Sequence, residues 1–247
     1  PPPPPPPPPP PFFLHPHAGI PSAQESRGLG DVYKRQQFEA VIFDMDGVIV
    51  DSEPLHEQSF LEVWDELGYG ENHGIYFPDF YGRSDRVVWE AFIEKHNPKP
   101  AIEDLIGLRE ERLIRMLREK EPLFDGVTDL IQRLAKRYPL GLASGSIHRV
   151  IDEVLAMQNL RSYFKDITSS EDVSVPKPSP EIFLLSAKRL GVPPEKCCVI
   201  EDTVNGIKAA KAAGMTAVAI TNTFDASSLF DAGADAICSD YSAIHSQ

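Results

Sequence analysis

The chain has 247 residues, with 24 basic against 37 acidic side chains and a formal charge of −13. That balance argues against nonspecific attachment to nucleic acid or anionic membrane, which needs basic patches, and no apolar run reaches the ~18 residues of a bilayer span. The prolines divide the chain in two: 13 of the 24 lie within the first 21 residues.

The head, residues 1–37, opens with eleven consecutive prolines and shows no apolar periodicity. Such a run adopts polyproline II and offers no core-forming side chains, so a disordered head is expected. Phe12, Phe13 and Leu14 are too short a run for the apolar segment of a signal peptide, and no basic stretch precedes them. The stretch Asp31–Gln36 looks like the translated end of a transposon used to prepare sequencing libraries. The head is therefore read as a sequencing or assembly artefact; the alternative is a genuine proline-rich interaction arm. It holds three basic and two acidic residues, which leaves the 210 residues from Phe38 to Gln247 with a charge of −14. Of the three cysteines, Cys197 and Cys198 are neighbours that point to opposite faces of a strand, and no paired-cysteine zinc motif is present. A reduced, cytoplasmic, monomeric protein is expected.

The body opens with the apolar run Ala40–Phe43, which breaks at Asp44 and fits a strand buried on both faces, as in a parallel sheet. Helical stripes follow without a convincing strand: Phe60, Val63, Trp64 and Leu67; then Val87, Val88, Ala91 and Phe92; then Leu105, Leu108, Leu113, Met116 and Leu117. From Val127 the pattern alternates. Val127, Leu130, Ile131 and Leu134 make a helical face, Leu140–Ala143 a strand, and Ile147, Val150, Ile151, Val154 and Leu155 a second helix. Ile182, Phe183, Ala187 and Leu190 precede the strand Cys197–Ile200. Ile207, Ala210, Lys211 and Gly214 precede Thr216–Ile220, and Asp235–Cys238 is a weaker strand. Alternating strands and helices of this length predict an α/β fold with a Rossmann-like parallel sheet. Residues 53–122 predict an all-helical cap inserted after the first strand, leaving 38–52 and 123–247 as the core.

Ligands of open α/β sheets sit outside the carboxyl ends of the strands, and four such places carry polar candidates. In extended chain Asp44 and Asp46 face the same way, and Gly47 permits a sharp turn. Paired carboxylates there can hold a divalent cation, move protons or attack an electrophile; a solvated surface turn is the plain alternative. Ser144, followed by Gly145 and Ser146, offers a hydroxyl and free backbone N–H groups to an anion, or serves only as a helix cap. Lys177, flanked by Pro176 and Pro178, is a lysine held by a stiff loop, or merely a solvated one. Glu201 and Asp202 end the run Cys197–Ile200; they add charge to an acidic site suited to Mg2+, or cap the next helix.

The order of these signals carries a resemblance. FDMDGVIVDSEPLH from Phe43 to His56, LASGS from Leu142, KPSPE from Lys177 and EDTVNGIKAA from Glu201 together resemble the haloacid dehalogenase superfamily, in its β-phosphoglucomutase-like phosphatase branch. The likeness spans nearly the whole body. It implies that Asp44 is a nucleophile forming an aspartyl-phosphate, and that Asp46 protonates the leaving oxygen and then activates water. It further implies that Ser144 binds the transferring phosphoryl group and that Lys177 bridges phosphate and nucleophile. Mg2+ would be held by Asp44, the Asp46 carbonyl and Asp202, with Glu201 assisting directly or through water. An acid at Asp46 must be protonated against an ordinary value near 3.9; nearby carboxylates would favour this, and Mg2+ and Lys177 would oppose it. Dehalogenases of the superfamily lack a carboxylate at the position of Asp46, which weighs against that reaction.

The cap is expected to choose the substrate. The resemblance makes Gly82, Arg83 and Ser84 a specificity loop, places His56 near the cap hinge beside the acid, and gives the Ser52 hydroxyl a supporting role. Mutases of the branch carry lysine before that glycine and arginine three residues after it; here Tyr81 and Asp85 stand there. The expected activity is therefore Mg2+-dependent hydrolysis of a small phosphomonoester, a sugar phosphate or similar metabolite. A hexose-phosphate mutase is the alternative, and a non-catalytic phosphometabolite-binding protein is the alternative of another class.

Overall fold

The computed structural model describes residues 12–14, 38–80 and 85–246. Strand β1 (Phe12–Leu14) pairs antiparallel with β8 (Ile244–Ser246), a short pairing that the reading of the head did not include. The main sheet is six-stranded and parallel. Its strands are β2 (Ala40–Phe43), β3 (Leu140–Ala143), β4 (Phe164–Thr168), β5 (Cys197–Glu201), β6 (Thr216–Ile220) and β7 (Ala236–Cys238). Their spatial order is β4-β3-β2-β5-β6-β7, so the chain reverses direction across the sheet beside β2. A crevice at the carboxyl ends of the strands is the consequence of that reversal.

Each central strand is buried throughout, and alternate residues feed different cores. Val41, Phe43, Cys198, Ile200 and Val218 pack on one face with α4 (Val127–Ala135) and α5 (His148–Ala156). Ala40, Ile42, Cys197, Val199 and Ala217 pack on the other with α6 (Glu181–Leu190) and α7 (Val204–Ala212), where Ala209 and Ala210 bring helix and sheet close. Cys197 and Cys198 thus enter opposite cores, and all three cysteines are free and buried.

Strand β4 escaped the sequence reading. Two of its three buried positions are polar: Asp166 accepts hydrogen bonds from Ser186 Oγ at 2.7 Å and from Thr168 Oγ1 at 2.9 Å. A buried acid satisfied by hydroxyls leaves no apolar run to read.

Between β2 and β3 lie α1 (Glu53–Glu66), α2 (Asp85–His96) and α3 (Ile102–Lys120), ahead of α4. They share an aromatic core built on Phe60, Trp64, Trp89 and Phe92, with Trp64 and Phe92 stacked at 5.3 Å. Leu108 of the expected stripe packs partly buried against this core, and Arg109 beside it is buried more deeply, 2% exposed.

Candidate active site

Strand β2 ends at Phe43, and the chain then turns tightly. Met45 O accepts from Ile49 N at 2.7 Å, and Gly47 N donates to Val50 O at 2.9 Å. Gly47 has φ +75°, and a Cβ there would lie 1.9 Å from Asp202 Oδ2. Both its left-handed backbone and its close approach to Asp202 therefore demand glycine. The far end of the chain braces this turn: Asn222 Nδ2 donates to Gly47 O at 2.7 Å and Tyr241 OH to Val48 O at 2.5 Å.

Asp44 is buried at the end of β2, and Lys177 Nζ reaches it from the proline-flanked loop at 2.5 Å. The same ammonium donates to Glu201 Oε1 at 2.9 Å and Ala143 O at 3.2 Å, so all three of its donors are used. Glu181 holds that loop by accepting from Ser174 N and Val175 N at 2.9 and 3.0 Å. The other oxygen of Glu201 accepts from Asp202 N, Thr203 N and Thr203 Oγ1 at 2.7, 2.6 and 2.9 Å. A Cβ at Gly206 would sit 1.6 Å from Glu201 Oε1, which explains the glycine in the first turn of α7.

Asp202 completes an acidic group. Oxygens of Asp44, Glu201 and Asp202 lie within 4.8 Å of one another, all three side chains being buried. Thr223 Oγ1 donates to Asp202 Oδ2, while Asp202 Oδ1 is buried and without a partner among the described residues. A buried charged oxygen with no donor is costly, and a hard cation is the natural remedy. Without one, burial raises Asp44 to about 8, against the pull of Lys177 and with the help of Glu201 and Asp46. Burial and the Glu201 and Asp44 charges likewise raise Asp202 well above the usual carboxylate range. Asp44 and Asp202 are thus pushed toward their protonated forms, which a bound cation would oppose.

Asp46 sits in different surroundings. Its Oδ1 accepts from Ser52 Oγ at 2.6 Å and lies 3.4 Å from His56 Nε2. Its Oδ2 accepts from Ser146 Oγ at 2.9 Å and Ser144 Oγ at 3.2 Å. Burial alone would raise this carboxyl, but hydrogen bonds from His56, Ser52 and Ser146 outweigh it and hold it below the usual range. The balance weighed from sequence between carboxylates on one side and Lys177 on the other is thus decided by hydroxyls and an imidazole. Arg109 donates to His56 Nδ1 and to Asp85 Oδ2. Nδ1 of His56 is therefore the acceptor and Nε2 carries the hydrogen facing Asp46.

Asp44, Asp46, His56, Ser146, Lys177 and Glu201 among these groups line a cavity of about 1030 Å3 between the strand ends and the inserted helices. Asp44, Asp46, Gly145, Lys177 and Glu201 lie on its core side, and Glu53, His56, Glu57, Asp85, Arg109 and Glu110 on the helical side. Of the residues anticipated from sequence, Asp44, Asp46, Ser52, His56, Ser144, Gly145, Lys177, Glu201 and Asp202 come together here. Gly82, Arg83 and Ser84 lie outside the described residues. Ser146 and Asp85 had been noted only as the neighbour of Ser144 and as a departure from the mutase pattern; Arg109, Asn222 and Thr223 were not anticipated. Arg109 did leave a signal: it stands one helical turn from both Leu105 and Leu113, in the apolar stripe of α3, where a charge is out of place.

Comparison with known proteins places this arrangement. The family model described as haloacid dehalogenase-like hydrolase matches residues 38–214. Hexitol phosphatase B of Escherichia coli K12 is 36% identical over 188 residues, covering 75% of this chain and 84% of the relative. Fructose-1-phosphate phosphatase YqaB of the same organism is 36% identical over 186 residues, covering 74% and 96%. Among solved structures, β-phosphoglucomutase from Clostridium difficile superposes with a TM-score of 0.67 at 27% identity, over 83% of this chain and 92% of that one. The chain belongs to the haloacid dehalogenase-like hydrolases. Within that family it is a phosphoric monoester hydrolase of the β-phosphoglucomutase-like branch.

Proposed function

We propose that this enzyme hydrolyses small phosphorylated sugars or polyols in a Mg2+-dependent reaction, through an aspartyl-phosphate on Asp44. The observation that carries the reading is the pairing of Asp44 with Lys177 on the floor of the cavity, beside the partnerless oxygen of Asp202. The named activities of the two phosphatase relatives support the substrate class.

The donor set fits Mg2+: carboxylate oxygens of Asp44 and Asp202 around an unsatisfied position, with the Asp46 carbonyl added by the family resemblance. Glu201 fits the indirect role, because Lys177 takes one of its oxygens and three donors take the other. When bound, the cation neutralises phosphate charge and orients the phosphoryl group. The chain's own residues do the rest. Asp44 attacks phosphorus in line; Lys177 offsets the charge shared by nucleophile and phosphate. Ser144 and the backbone around Gly145 bind phosphoryl oxygens. Asp46, held as a carboxylate by Ser52, Ser146 and His56, is in the form that takes a proton from water in the second half-reaction. Protonating the leaving oxygen in the first half requires those donors to give way.

Phosphate release from a panel of phosphorylated sugars and polyols, with Mg2+ or with EDTA, tests the reading. Release that needs the metal is the expected result. Equal release in EDTA removes it, and bisphosphate-dependent isomerisation without release makes the enzyme a mutase.

A second expectation concerns pH. Asp44 keeps its proton up to about 8 without metal, and a cation binds the deprotonated form. Apparent Mg2+ affinity is therefore expected to rise with pH up to that value, by as much as tenfold per unit for each proton displaced. Calorimetric titration in buffers of different ionisation enthalpy reads the protons released. An affinity flat with pH and no proton release would contradict the protonated cluster.

A further inference from the structure

We infer that Thr223, with Asn222 beside it, positions the cation ligands of this enzyme and makes the site choose Mg2+ over the larger Ca2+. The inference rests on the Mg2+ site of the proposed reading and assigns two residues that hold that site in register.

The ligands come from two segments far apart in the chain, the turn after β2 and the end of β5. The ladder between these strands runs to Asp44 N, which donates to Ile200 O at 2.9 Å. Asp46 and Asp202 lie beyond it, and the turn after β6 spans them. Asn222 Nδ2 donates to Gly47 O at 2.7 Å and to Tyr241 OH at 2.9 Å, which uses both of its hydrogens. Tyr241 is buried and passes its own hydrogen to Val48 O. The next residue along the turn, Thr223, donates to Asp202 Oδ2. A side chain at Gly47 would start 1.9 Å from Asp202 Oδ2 and 2.9 Å from Thr223 Oγ1, so the three segments meet there with no room between them. Thr221 N donates to Cys238 O at 3.0 Å and ties the turn to β7.

By taking Oδ2, Thr223 leaves Asp202 a single oxygen for a cation, the buried Oδ1 that has no partner among the described residues. Mg2+ is satisfied by about six oxygens at roughly 2.1 Å and is strict about their geometry, whereas Ca2+ takes up to about eight at roughly 2.4 Å and accepts both oxygens of one carboxylate. A carboxylate limited to one oxygen, held at a fixed spacing from the turn after β2, fits the smaller ion. Outer hydrogen-bond partners of metal ligands are worth about 10–100-fold in metal affinity.

The test follows the melting temperature of the metal-free protein as MgCl2 or CaCl2 is added at constant ionic strength, in wild type, Thr223→Val, Thr223→Ser and Asn222→Ala. The rise with concentration gives an apparent affinity for each cation, and the metal-free melt shows that each variant folds. The wild type is expected to prefer Mg2+. Thr223→Val keeps the shape and removes the donor; it is expected to lose about tenfold or more in Mg2+ affinity and much less in Ca2+ affinity, while Thr223→Ser keeps the wild-type ratio. Asn222→Ala lies on an exposed part of the turn. It is expected to lower the ratio in the same direction, and it decides the matter if Thr223→Val does not fold. No preference in the wild type, an unchanged ratio in the variants, or equal weakening of both cations overturns the inference. A wild type that does not respond to Mg2+ removes the Mg2+ reading and the inference with it; a wild type that responds while the ratio stays fixed removes the inference alone.

Discussion

Asp44→Asn is expected to lower kcat on any phosphorylated sugar by on the order of 10^4-fold, because an amide oxygen cannot displace an alcohol from phosphorus and no neighbour can substitute for it. The candidates are differently committed: Glu201 is saturated with donors, Asp202 gives one oxygen to Thr223 and the other to the proposed cation position, and Asp46 is held by Ser52, Ser146 and His56. The fold should tolerate the change. Below about pH 8 the metal-free Asp44 already holds a proton, so a neutral isostere adds no new charge imbalance. The melting temperature of the metal-free protein is expected to move by a few degrees at most. Acid-quenched wild type mixed with substrate should carry a phosphoryl group on the peptide containing Asp44, and the variant should carry none. Activity within tenfold of wild type, or an adduct on another peptide, would end the covalent mechanism.

Lys177→Met should damage both stability and rate. The ammonium is the shared partner of two buried carboxylates, Asp44 and Glu201, and its stem packs on Phe183, with Nζ 4.9 Å from the ring centroid. Methionine can keep the packing but leaves Glu201 without its counter-charge and Asp44 without its donor. Breaking one side of a buried ion pair costs about 3–5 kcal/mol, which for a chain of this size lowers the melting temperature by roughly 10 °C. The deficit has a sign in pH. Without Lys177, which pulls it down, Asp44 holds its proton still more tightly, so the variant should be least impaired at acidic pH and lose further stability as pH rises through about 8. Added Mg2+ should recover part of the loss by supplying positive charge to the same carboxylates. The rate should fall by about 10^2–10^3, the usual loss when one transition-state charge donor is removed. Thermal melts across pH, with and without Mg2+, and steady-state kinetics measure all of this. An unchanged melt with retained activity would mean that Lys177 is an ordinary loop lysine.

Much of the site was legible because it is local. Asp44 and Asp46 stand two residues apart at a strand end, and strand geometry alone turns them to one side. Ser144, Lys177, Glu201 and Asp202 each follow or adjoin a recognisable element, and a parallel sheet gathers such ends into one crevice. Strand β4 was lost for a related reason: two of its three buried positions are Asp166 and Thr168, and polar core residues leave no hydropathic trace. Arg109 was passed over because its neighbour Leu108 fits an apolar stripe better than a charge does, although the buried face of α3 runs through the arginine.

Periodicity and turn chemistry act over a few residues, so the sequence by itself determined the alternating elements, the helical insertion and the polar groups at the strand ends. What those groups do to one another acts through space and depends on distances between segments far apart in the chain. Arg109 meets His56 across 53 positions, Lys177 meets Asp44 across 133, and Asn222 braces Gly47 across 175. Only the tertiary structure could decide that hydroxyls and an imidazole, not acids, surround Asp46, that one oxygen of Asp202 stays without a partner, and that Asp85 spends the charge of Arg109. Burial raises the cost of every unpaired charge, and which charges are paired is a property of the packed molecule rather than of any stretch of its sequence.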